Sequence, residues 1–183
     1  MSSRHWVWRL GAIIAVLTAA LPCRADAPTR EYQVKAAFIY NFTAFVQWPD
    51  SAFASKDSSF VVATIGTDSF DGALEQAMTG KSVAGHSIVV QHFSSGDNMS
   101  SCQLLFVPAS EDSSLNNLFA KLNSQPILTV GESEAFSSAG GAIRFFVEDK
   151  KMRFEIDPDS INSAGLKVSA KLMKLARIYK KPS

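Results

Sequence analysis

The sequence is poor in the side chains that usually do chemistry. Its 183 residues hold two cysteines and three histidines, and Cys23 and His5 fall within the first 25 positions. No G-x-S-x-G turn is present to expose a nucleophilic serine. Gly80-Lys81-Ser82 resembles the end of a phosphate-binding loop, but position 75 carries Glu75 where the earlier glycine is required. The two remaining histidines, His86 and His92, would lie about 20 Å apart on one face of a strand, too far for one metal ion. After Gly66-Thr67, helix capping accounts for Asp68 and Ser69 more simply than catalysis does. Turn formation likewise accounts for Asp157 and Asp159 around Pro158. No catalytic constellation, metal site or cofactor site emerges, and the expectation is a protein that is not an enzyme.

Long apolar runs are also scarce. The longest, Leu10 to Leu21, follows Arg4 and Arg9 and precedes Pro22-Cys23-Arg24-Ala25. A positive start, an apolar stretch and small residues at Cys23 and Ala25 make residues 1–25 a cleavable signal peptide. At about 12 residues the run is well short of the roughly 20 that span a bilayer. Pro22 stands where a small residue would precede a lipidated cysteine, which argues against a lipoprotein. The expected mature chain, residues 26–183, is one domain of ordinary size in the periplasm. Cleavage lowers the basic residues from eighteen to fifteen against seventeen acidic ones, changing the net charge from +1 to −2. That balance excludes a nucleic-acid-binding protein, since no basic stripe appears before the last dozen residues. It also leaves Cys102 as the lone cysteine, just before the apolar run Leu104 to Val107, where a buried, inert thiol is expected.

What remains is rich in phenylalanine, with thirteen in all, and alternates between two periodicities. Arg30 to Trp48 carries Val34, Ala37, Phe38, Phe42, Phe45 and Val46 at three- and four-residue steps and predicts a helix. Ile39 and Tyr40 widen its apolar face, so cover on more than one side is expected. Short apolar runs at 60–65, 87–91, 104–107 and 127–130 predict strands. Between and after them, 70–78, 115–122 and a short turn through Phe136 read as helices. Ala142 to Val147 and Met152 to Ile156 flank the polar tip 148–151 as a hairpin. Asp157 to Asn162 is expected to turn the chain into a last helix from Ser169 to Tyr179. The alternation predicts an α/β fold: a three-layer α/β/α domain with a mainly parallel sheet and a C-terminal antiparallel hairpin. Gly66 and Gly131 would follow strands at one sheet edge, the usual ligand side of such folds.

Two stretches carry a more specific likeness. One is Val34-Lys35-Ala36-Ala37-Phe38-Ile39-Tyr40-Asn41-Phe42 with the ending Phe45-Val46-Gln47-Trp48-Pro49. The other comprises Ile127 to Ser133, Gly140 to Ile143, Arg153 to Ile156 and Ala164 to Ser169. In order and over nearly the whole mature chain, these resemble the YfiR family of periplasmic proteins. The resemblance implies a dimeric, non-enzymatic periplasmic regulator that binds the periplasmic part of an inner-membrane diguanylate cyclase and restrains cyclic di-GMP signalling, and with it biofilm formation. An outer-membrane lipoprotein that sequesters the regulator is the implied second partner. Redox-responsive members carry paired cysteines, so with Cys102 alone an intramolecular disulfide switch is excluded.

For a binding module the candidate residues are exposed polar ones. Arg153 and Glu155 alternate with Met152, Phe154 and Ile156, which places the charged pair on the face opposite the apolar one. An ordinary solvated strand face and a binding role fit that pair equally. Asn41, Glu132 and Lys167 complete the set. Lys167, Lys171 and Lys174 read first as a solvated face of the last helix and second as a patch for an acidic partner. A different class of function stays open beside the regulator: a sensor domain holding a small ligand at the Gly66 and Gly131 edge.

Overall fold

The computed structural model describes residues 30–181; the proposed signal peptide lies outside them. The first element is the helix α1 (Arg30–Phe45), followed by the short strand β1 (Val46–Gln47). Then come β2 (Phe60–Ile65), α2 (Ala73–Met78), β3 (Ser82–Val83), β4 (His86–Phe93) and β5 (Leu104–Val107). The second half contains α3 (Leu115–Leu122), β6 (Leu128–Gly131), α4 (Glu134–Ser138), β7 (Ile143–Glu148) and β8 (Lys151–Ile156). It closes with α5 (Pro158–Ser163), β9 (Lys167–Val168), α6 (Ala170–Leu175) and β10 (Arg177–Ile178).

Among these residues one sheet has eight strands in the order β10-β8-β7-β6-β5-β2-β4-β3. The run from β4 through β2, β5 and β6 to β7 is parallel, while β8 folds back on β7 as the expected hairpin. The two tip residues, Asp149 and Lys150, both have positive φ, the conformation that lets a two-residue turn follow the strand twist. β2, β5 and β6 are buried on both faces, which is why they read as unbroken apolar runs rather than alternating ones. On one face lies the core of Ile39, Phe42, Phe60, Val62, Phe106, Val130, Phe145 and Phe154 beneath α1. On the other lie Val61, Ala63, Ile65, Leu105, Leu115, Leu118 and Phe136 beneath α3 and α4. The α/β expectation therefore holds.

Several boundaries differ from the pattern reading, each for a non-local reason. α1 stops at Phe45 rather than Trp48 because the Phe45 carbonyl accepts from Ser169 N and Val46–Gln47 pair with β9. Its buried face is Lys35, Ala36, Ile39, Phe42 and Thr43, whereas Ala37, Asn41 and Ala44 face solvent. Ile39 is thus the centre of the packed face, and cover on more than one side is corrected to cover on one. Residues 158–163 form a helix rather than a turn, because Asp157 caps it by accepting from Asp159 N and Ser160 N. The last helix ends at Leu175, since Arg177 and Ile178 leave it to pair with Glu155 and Ile156.

Candidate functional site

The carboxyl ends of the parallel strands come first, because doubly wound sheets place ligands there. Here the chain packs its own side chains into the turns at that edge. A side chain at Gly66, where φ is +77°, would collide with the Glu111 carboxylate. One at Gly131 or Gly141 would collide with the ring of Phe136. Beside Gly131, Glu132 turns back over α1, where it accepts from Lys35 Nζ and, at 3.1 Å, from Ala109 N. Lys35 also pairs with Glu31 at 2.7 Å and sits 4.4 Å from the centre of the Tyr32 ring. Its side chain is 4% exposed. Burial alone would lower the Lys35 pKa, but the bonds to Glu132 and Glu31 outweigh it and hold the ammonium above its ordinary 10.5. Glu132, expected as an exposed contact residue, is therefore the clasp between α1 and the sheet.

Glu155 receives the largest correction. It shares a sheet face with Arg153, as alternation predicts, but it is 3% exposed. Arg144, directly across the hairpin, donates from Nε at 2.7 Å. Arg177, brought alongside by β10, donates from Nε and Nη2 at 3.0 and 2.7 Å. Ser137 Oγ completes the set at 3.1 Å. Burial would raise the Glu155 pKa, but the bonds from Arg144 and Arg177, the Arg144 charge and the serine hydroxyl hold it below its ordinary 4.5. The Arg177 guanidinium also stacks 3.8 Å from the centre of the Phe146 ring. Arg153, by contrast, is half exposed and pairs with the equally exposed Glu148 at 3.0 Å. Asn41 and Lys167 are exposed as expected. The structure does not gather the five candidates into one site: Glu132 and Glu155 are internal braces, and Asn41, Arg153 and Lys167 lie on separate elements.

Two further arrangements escaped the sequence reading. Thr64 Oγ1, His92 Nδ1 and Nε2, and Glu75 Oε1 form a relay with spacings of 2.8 and 2.6 Å. The order imitates a hydrolase triad, yet Thr64 is 2% exposed, so no substrate can reach its hydroxyl. The relay ties β4 to its neighbour β2 and to α2. The signal was the register of β2 on β4, which sets Thr64 opposite His92 and which no local pattern encodes.

The second is a cavity of about 540 Å³ at the opposite, amino edge of the sheet, lined by Tyr40, Thr43, Trp48, Phe53, Phe60 and Val83 among others. Trp48 is pinned by its Nε1 bond to the Gln103 carbonyl, 2.9 Å, and Phe53 stacks on His86 with ring centres 3.9 Å apart. Among the described residues no group of three or more histidine, cysteine or acidic side chains could hold a metal, and no helix is long and apolar enough to cross a membrane. Cys102 is buried, and burial pushes its thiol pKa up to about 12.

Fold and site together define a class: an α/β scaffold whose own Glu111 carboxylate and Phe136 ring pack into the Gly66 and Gly131 turns at the customary ligand edge, beside a cavity of about 470 Å³ lined by Ile65, Ser95, Ser114, Leu118 and Lys121. A family profile described as YfiR/HmsC-like matches residues 32–177, and the chain belongs to that family. That match supports, at the level of the family, a periplasmic regulator of diguanylate cyclase. No curated protein matches the chain.

Proposed function

We propose that this protein is an exported, non-enzymatic regulator, cleaved near Ala25, which binds the periplasmic part of an inner-membrane diguanylate cyclase and holds its output down. The family match across residues 32–177 carries the reading. A homodimer, and release by an outer-membrane lipoprotein, belong to the same proposal. The exposed candidates Asn41, Arg153 and Lys167 are its contact residues, while Glu132 and Glu155 act by keeping the scaffold rigid. Deleting the gene should raise cyclic di-GMP, and the purified protein should capture a diguanylate cyclase from solubilised membranes. Unchanged nucleotide together with no cyclase captured would sink the proposal. Arg153→Glu should weaken capture roughly fivefold or more while leaving the melting temperature unchanged, because the side chain is half exposed.

A second reading, a small-ligand sensor acting on a membrane signalling protein, draws on the amino-edge cavity. Its volume of about 540 Å³ lies within the range of small-molecule sites, and the Gly66 and Gly131 edge, with a cavity of about 470 Å³ beside Ile65, is the other place for a ligand. A thermal-shift screen tests it, since a ligand at about 100 times its Kd adds about 2.7 kcal/mol. Protection that Val83→Trp does not abolish would place any ligand elsewhere.

A further inference from the structure

The described residues divide sharply by charge. From Arg30 to Asp159 the sequence holds sixteen acidic residues against nine basic ones, a net charge of −7. From Ser160 onward it holds six basic residues, Lys167, Lys171, Lys174, Arg177, Lys180 and Lys181, and no acidic one. The fold converts this sequence asymmetry into a spatial one. α1 runs away from the carboxyl edge, where Glu31, Glu111, Asp112, Glu132 and Glu134 lie, to the amino edge about 24 Å distant. At that far end Lys167 pairs with Gln47, and Lys171 Nζ sits 5.2 Å from the centre of the Phe45 ring. β10 runs parallel to β8, with Arg177 and Ile178 level with Gly131 and Val130, so that the chain carrying Lys180 and Lys181 heads from there toward the amino edge.

All six cations are exposed. Among the described residues no carboxylate pairs with any of the five lysines, and Arg177 alone is engaged, by Glu155. Three exposed carboxylates, Asp50, Asp57 and Asp159, stand at the same edge. Amid the lysines stand two of the few large apolar side chains left in solvent, Leu175 at 66% and Ile178 at 42% exposure. α6 buries Leu172 against the core and turns Lys171, Lys174 and Leu175 outward, three and four residues apart on one face.

We infer that this C-terminal surface, Lys167 to Lys181, docks on the headgroups of an anionic phospholipid bilayer. Charge complementarity selects the occupant. Five of the six cations are lysines, mobile point charges that suit a diffuse field of phosphates rather than the bidentate recognition of a carboxylate. Leu175 and Ile178 sit at headgroup depth when the lysines meet the phosphates. The acidic remainder is repelled by the same surface, so the protein is oriented with its carboxyl edge facing away. This surface shares Lys167 with the cyclase reading but is tested separately, since that reading stands or falls on nucleotide level and capture.

The test is co-sedimentation of the protein, as purified from cells, with vesicles of phosphatidylcholine alone or mixed with phosphatidylglycerol, at low and high salt. Binding is expected only to the anionic vesicles and should fall with salt. At roughly fivefold per lysine, Lys171→Glu with Lys174→Glu should cost at least tenfold, and Leu175→Ser should weaken binding at unchanged salt dependence. The charge-matched control, Lys121→Glu with Lys150→Glu, should bind as the parent does. Equal binding to neutral vesicles, equal loss in the control, or no vesicle binding alongside tight binding to polyglutamate would each overturn the assignment. Circular dichroism confirms that every variant compared is folded.

Discussion

Glu155 shows how a single carboxylate can be decided by residues far away in sequence. Its partners Arg144 and Arg177 lie eleven positions before and twenty-two after it, so alternation along β8 gave its face correctly and said nothing of its burial. Glu155→Gln leaves two guanidinium groups facing a neutral amide. With Arg177 half exposed, the expected loss is about 2–4 kcal/mol in urea unfolding, toward the lower end of the buried-pair range. The sign of the pH dependence follows from the depressed pKa. The contribution is complete above the ordinary carboxyl value of 4.5 and is lost as pH falls below it through the folded value. A pH series of unfolding midpoints should therefore lose part of its acid limb in the glutamine variant. Lys35 works in the opposite sense: its pKa is raised, so its contribution is complete below 10.5 and lost as pH climbs through the higher folded value. Lys35→Met leaves Glu132 with the Ala109 amide and the Tyr32 hydroxyl but no cation, and should cost about 3 kcal/mol. Cys102 makes a simpler case. With its thiol held near 12 and buried, a thiol reagent at neutral pH should label it only after denaturant is added.

At the scale of elements, the strands were the legible part. β2 and β5 fall where the apolar runs place them, and the hairpin falls on its polar tip, because those patterns are local. Helix ends were less legible, since α1 and α6 are each stopped by pairing with a strand that the sequence places far off. The Gly131 and Gly141 pair was visible as punctuation, but its reason was not. Both glycines make room for one ring, Phe136, at the head of which Ser133 caps α4 by accepting from Phe136 N. Gly141→Ala should accordingly destabilise by about 1–3 kcal/mol through overpacking. Adding Phe136→Leu should recover part of that loss, and a double-mutant cycle by thermal unfolding measures the coupling. Of the candidate site, exposure was legible for Asn41, Arg153 and Lys167, whose surroundings are polar in sequence as in space. The clasp of Lys35 on Glu132 was not, for it spans 97 positions.

The whole molecule is fastened at its ends. Among the described residues β1, next to the first helix, pairs only with β9, and the last strand, β10, supplies half of the Glu155 clamp. A chain cut before Lys167 keeps seven of the eight strands of the large sheet, yet loses Leu172 from the core, the partner of β1 and the second arginine. Its urea transition should broaden and its slope should fall below that of the intact protein.

The β1–β9 pairing also sets a timetable. Because Val46 finds its partner at Val168, and Phe42 stacks on Phe145 and meets Phe154 edge to face, the opening helix has no finished seat while the ribosome is still at work on the middle of the chain. The seat of that helix is completed only when β9 has been made, so this contact between early and late elements forms late in synthesis.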